Sequence, residues 1–254
     1  NLKAITKSVK RMGYDAVINL QRFASSGLIT AFSGAKEKIG FKKNPLSFNF
    51  TTKVEHTIGD GTHEVERNQL LIKHLTDAEA VKPKLYPSNN DYDSVAKYKV
   101  EDYVCMAPTS VWYTKQLPKE QWVKLINKIN DKTTIYLLGG PADKEQCESI
   151  KTDSKCKNVV NLCGQLSFLE SAALMLNANM NYVNDSAPLH IASAMNAPIT
   201  AYFCSTVPTF GFTPLSDNSK IVEVAAPLSC RPCGLHGKKE CPEGHFDCGY
   251  KILI

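Results

Sequence analysis

The densest chemistry in the chain lies in one stretch, Asn184-Asp185-Ser186-Ala187-Pro188-Leu189-His190-Ile191-Ala192. An apolar run from Met180 to Val183 precedes it and reads as a buried strand. A helical pattern follows and stops before Pro198. Asp185 or Ser186 can cap that helix, and Pro188 suits its first turn, where a missing N–H costs nothing. Strand, polar turn and helix N-terminus together favour an anion such as a phosphate, and His190 can point at the same anion. Taken alone, the same residues read equally well as an ordinary helix cap beside a partly buried histidine.

A second cluster closes the chain. Cys230, Cys233, Cys241 and Cys248 form a C-x2-C-x7-C-x6-C set in a tail rich in Gly, Pro and His. Four thiolates at close spacing suit a structural zinc ion with tetrahedral sulfur ligands, and His236 and His245 are alternative donors. The spacing matches no common zinc module closely, so free thiols or a disulfide are equal readings. Cys105, Cys147, Cys156, Cys163 and Cys204 are scattered through apolar or helical stretches. That scatter points to a reducing cytoplasm rather than a disulfide framework.

These groups need elements to position them. Strands are expected at 103–107, 134–138, 159–162, 180–183 and 199–203, with helices at 119–129, 141–150, 167–176 and 189–195. The helix at 167 carries a possible capping box at Ser167 and Glu170. Such alternation makes a parallel sheet covered on both faces, with every strand-to-helix loop on one edge, where ligands bind. That edge collects Thr109, Ser110, Thr114 and Lys115 from one loop, and Gly139 and Gly140 from a second. Gly164, Gln165, Leu166 and Ser167 come from a third, and Asp185, Ser186 and His190 from the fourth. One carboxylate, several hydroxyls, a lysine and a helix N-terminus suit a diphosphate carrying a polyol. No Gly-rich dinucleotide fingerprint and no P-loop is present.

The first half alternates too: helix 1–11, strand 14–20, helix 25–32, strand 38–41, an irregular loop over 44–62 and a helix over 63–75. Residues 80–99, with Pro83 and Pro87 and no apolar rhythm, read as a linker. The expected domains are therefore 1–95 and 96–254. The 254 residues carry a net charge of +5, which is mildly basic and not the signature of a nucleic-acid-binding protein. No apolar run of about 18 residues exists to span a membrane. The chain opens at Asn1 on what reads as a helix already under way, so the natural N-terminus is expected upstream.

The segments Ala107 to Pro118, Leu138-Gly139-Gly140-Pro141 and Asp185 to Ala192 resemble glycosyltransferase family 9, the lipopolysaccharide heptosyltransferases. Tyr14 to Gln21 and His63-Glu64-Val65-Glu66-Arg67 are similar to that family's first domain. The resemblance implies an α/β fold of the GT-B type with two Rossmann-like domains, the first truncated at its N-terminus. It implies inverting transfer of a heptose, from a nucleotide-sugar donor such as ADP-heptose, to the lipopolysaccharide inner core, with no cofactor for catalysis. Ser110 and Lys115 would then contact the diphosphate and Leu166 the base. Asp185, Ser186, Ala187 and His190 would line the phosphates and sugar. Ala187 departs from the glycine usual there. The family's general base is expected upstream of Asn1, which would leave this chain poorly productive alone. The implied partner is a lipid A–core acceptor at the inner membrane surface, and Arg22, Lys42, Lys43 and Arg67 could meet its anionic groups. Similar C-terminal cysteines occur in some members. Transfer of another sugar, or a non-catalytic nucleotide-sugar-binding scaffold, are the alternatives.

Overall fold

The computed structural model describes residues 1–77 and 79–254. They form two compact units: Asn1–Val81 with Thr209–Gly211, and Lys82–Pro208 with Phe212–Ile254. Among the described residues no helix is long and apolar enough to cross a membrane.

The first unit contains α1 (Leu2–Met12), β1 (Ala16–Asn19), α2 (Ala24–Ala31), β2 (Glu37–Phe41), β3 (Thr52–Val54) and α3 (Glu64–Ile72). Its sheet is parallel in the order β1-β2-β3. Ile39, Phe41 and Leu71 form its small core. The stretch 44–62 is thus not wholly irregular. Three residues, Thr52 to Val54, are too few to show a strand period, and their pairing with β2 defines the strand. Arg67 is not free to meet an acceptor. Its side chain is buried and donates to Glu64, to the carbonyls of Thr57 and Thr62, and to that of Phe210. Gly211 fits beside it at a positive φ of 83°, because a Cβ there would lie 2.0 Å from the Thr62 carbonyl. Lys42 is likewise engaged, in an ion pair with Glu55.

The second unit contains α4 (Asn89–Val95), β4 (Tyr103–Ala107), α5 (Lys119–Lys128), β5 (Thr134–Leu137), α6 (Lys144–Asp153), β6 (Val159–Asn161) and α7 (Phe168–Leu176). It continues with β7 (Asn181–Asn184), α8 (Ala187–Ala194), β8 (Ile199–Phe203), β9 (Ser219–Glu223) and α9 (Asp247–Tyr250). Six parallel strands run in the order β6-β5-β4-β7-β8-β9. The chain winds outward from β4 to β6, then returns to lay β7 on the other side of β4. The strand order therefore reverses between β4 and β7, and the loops leaving those two strands diverge there. Side-chain alternation along β4 feeds two cores. Tyr103, Cys105 and Ala107 pack with α7 and α8, while Val104 and Met106 pack with α5, α6 and the C-terminal residues Phe246, Cys248 and Ile252.

The division between units falls at Val81/Lys82 rather than at 95/96. Residues 82–95 hold a short polar helix, α4, whose Ser88 and Asp91 form a capping box. Its last residue, Val95, is fully buried with α7. One buried valine and one tyrosine in seven residues give no readable apolar stripe, which is why the stretch reads as a linker. The edge strand β9 escapes detection for a similar reason: its side chains are mostly exposed.

Candidate active site

A cleft of about 610 Å³ opens at the strand-order reversal, within the size range of small-molecule sites. Thr109 and Ser110 line it from the loop after β4, and Gly139 and Gly140 from the loop after β5. Leu166 and Ser167 come from the loop before α7, and Ser186 and Ala187 from the start of α8. Of the seven residues that the resemblance assigns to the donor, four, Ser110, Leu166, Ser186 and Ala187, line the cleft together, with Thr109, Gly139, Gly140 and Ser167 from the same loops. Leu166 is half-buried against the core shared by α7 and α8 and offers an apolar wall. Glu170, at the third position of α7, accepts from the Ser167 N–H (2.6 Å), and that bond holds its carboxyl below the usual range.

Lys115 and Asp185 do not line the cleft; they face each other. The Lys115 Nζ lies 2.7 Å from Asp185 Oδ2, with both side chains largely removed from water. The same carboxylate oxygen accepts from the buried Thr206 hydroxyl at 2.7 Å. Asp185 therefore caps no helix. Ser186 occupies the cap position of α8 but makes no side-chain cap bond; its hydroxyl donates to the Asn184 carbonyl at 3.4 Å. The N-cap residue of α8 thus makes no side-chain bond to its first turn, and an uncapped helix start suits an anion. His190 lies on an exposed position of α8 and does not line the cleft.

Two residues that the sequence reading passed over hold this arrangement. Asn184, fully buried, accepts from the Leu117 N–H at 2.9 Å and donates to the carbonyls of Ala107 and Thr109 at 3.4 Å each. It thereby ties the end of β7 to the loop that carries Ser110 and Lys115. Thr206, in the turn after β8, orients Asp185. A buried asparagine ending an apolar strand was the available signal for the first; Thr206 gave none, being 21 residues from its partner.

The cysteines of the tail are all free thiols. Burial pushes the Cys248 thiol up to about 12, and Cys233 and the other two cluster members add to the effect from nearby. Among the described residues no three His, Cys, Asp or Glu side chains converge to hold a metal ion. In the first unit Asp60 accepts from the Thr62 N–H at 3.0 Å, and this lowers its carboxyl pKa.

The profile of glycosyltransferase family 9 (heptosyltransferase) matches residues 2–245. The chain belongs to that family. Lipopolysaccharide heptosyltransferase 3 of Escherichia coli is 27% identical over 237 residues, covering 86% of this chain and 66% of that protein. This chain therefore spans slightly under two thirds of that relative's length. The E. coli ADP-heptose lipopolysaccharide heptosyltransferase II structure superposes with a TM-score of 0.76 at 18% identity, covering 92% of this chain and 77% of that one. An E. coli heptosyltransferase solved with ADP gives 0.65 at 18% identity, covering 87% and 69%. These superpositions establish the fold, α/β of the GT-B type with Rossmann-like units.

Proposed function

We propose that this family 9 chain carries the donor side of an inverting heptosyltransferase, which moves a heptose from ADP-heptose to the lipopolysaccharide inner core. The observation that carries the reading is the Lys115–Asp185 pair beside a cleft lined by Ser110, Leu166, Ser186 and Ala187. Sugar transfer releases a nucleoside diphosphate, whose growing negative charge needs a fixed positive partner. Lys115 and the uncapped N-terminus of α8 supply one. A diphosphate entering the cleft competes with Asp185 for Lys115, and the freed carboxylate then accepts from the sugar hydroxyls. Leu166 gives the base an apolar wall, and Gly139 and Gly140 admit the ligand close to the backbone. The acceptor in this proposal is a lipid A–core molecule met at the cytoplasmic face of the inner membrane. The general base is assigned to no residue of this chain.

Calorimetric titration with ADP, UDP and ADP-heptose tests the donor site. ADP and ADP-heptose are expected to bind in preference to UDP. Lys115→Ala is expected to weaken ADP by roughly 10- to 100-fold, the worth of a charge-assisted hydrogen bond. Equal affinity for UDP, or affinity unchanged by Lys115→Ala in a folded chain, overturns the assignment.

A further inference from the structure

We infer that Arg231, in the cysteine-rich tail, is a positioning residue for the donor site, acting through the turn that follows β8. The inference rests on the donor-site reading above for its functional consequence. The geometry behind it is independent of that reading.

Four consecutive carbonyls, from Phe203 to Thr206, are all taken by the tail. The Arg231 guanidinium donates to Cys204 O at 2.6 Å, to Phe203 O at 3.2 Å and to Thr206 O at 2.6 Å. The Cys233 N–H donates to Ser205 O at 3.1 Å. Glu223 on β9 holds the guanidinium from outside at 2.6 Å. Nε donates its one N–H to Cys204 O, and the two N–H of Nη2 are shared among Phe203 O, Thr206 O and Glu223; two donor nitrogens held apart in one plane reach these divergent acceptors, which the single nitrogen of a lysine cannot do.

The clamped turn touches both halves of the ion pair. Toward Asp185 it presents the Thr206 hydroxyl, at 2.7 Å. Toward Lys115 it holds the preceding residue: the Ser205 N–H donates to Thr114 O at 3.2 Å, and its hydroxyl donates to Thr114 Oγ1 at 2.9 Å. The tail reaches Thr114 directly as well, through Lys238 N–H to Thr114 Oγ1 (2.8 Å) and Thr114 N–H to Lys238 O (3.1 Å). Gly237 lies so close to Lys115 that a Cβ there would stand 2.8 Å from the lysine Cγ. The tail is therefore a brace. It fixes where the lysine and the carboxylate stand before any ligand arrives, and Arg231 itself does not line the cleft.

The test compares Arg231→Lys with Thr206→Val in the full chain, by hydrogen exchange and by ADP titration. Thr206→Val removes only the hydroxyl link and serves if Arg231→Lys does not fold. Hydrogen exchange needs no ligand: Arg231→Lys is expected to speed exchange in 112–117 and 203–207 while the strands β4 and β5 keep their protection. Unchanged exchange in those segments overturns the brace. Each variant is expected to weaken ADP by about tenfold, the scale at which small displacements of binding groups are felt. Combined with Lys115→Ala, Arg231→Lys should add no further loss, because its effect passes through the pair. Additive losses overturn the positioning role. A chain that does not bind ADP at all fails the donor-site reading, and the exchange data still decide the brace.

Discussion

Asp185 shows how much a single side chain's role depends on its partners. From its position before a helix it reads as a cap, yet its carboxylate is turned onto Lys115 and Thr206. A buried carboxylate gains more from a cation and a hydroxyl than from one amide, because charge is costly to leave unpaired away from water. Its neighbour Asn184 satisfies three backbone groups at once. Asn184→Ala is expected to destabilise the chain by about 1–3 kcal/mol, since the buried Leu117 N–H loses its acceptor. Urea unfolding checks this; a midpoint matching wild type refutes the tie between β7 and the loop after β4.

At the scale of elements, the useful contrast is between α7 and α4. Both begin with a capping box, at Ser167 with Glu170 and at Ser88 with Asp91. The first is legible because Ala172, Ala173, Leu174 and Met175 follow; the second is hidden by a polar sequence. Val95 is nevertheless fully buried in the same core as α7. Val95→Ala should cost roughly 2 kcal/mol through lost burial and the cavity left behind. A change within a few tenths of a kcal/mol in equilibrium denaturation would restore the linker reading of residues 82–95.

Across the whole molecule, the free thiols decide the response to alkali. Burial raises the thiol pKa of Cys105 and Cys204, and raises Cys248 from 9.0 to about 12. The phenols of Tyr103 and Tyr202 are raised by burial too. Each of these groups keeps its proton in the folded chain at a pH where the unfolded chain has lost it. The thiols' contribution to stability is therefore complete well below pH 9 and is lost as pH rises above it, by roughly 1.4 kcal/mol per group per pH unit, and the phenols' loss begins about one pH unit higher. Lys99, whose pKa is lowered by desolvation, and Cys163, whose pKa is lowered by its hydrogen bond with Cys147, oppose the trend. Denaturation at pH 7.5 and pH 10 should show the lower stability at pH 10; equal or greater stability at pH 10 contradicts this account of the buried thiols.

The alternation of strands and helices in the second unit, the edge on which its loops gather and the residues Ser110, Leu166, Ser186 and Ala187 were all legible in sequence. The elements and the loop residues depend on local pattern, an apolar run, a turn or a helix start; Ala187 was marked by the family resemblance. The strands β3 and β9, the helix α4 and the place where the units divide were not, because short or polar elements carry no period of their own and exist through their neighbours. The same holds within the site. Sequence alone determined that a lysine, an aspartate and a helix N-terminus would share one edge of a parallel sheet. Only the tertiary structure decided that the lysine and aspartate pair with each other, that Thr206 orients them and that Arg231 braces the turn. Those bonds join residues tens of positions apart, and hydrogen bonding between such residues leaves no spacing in the chain to read.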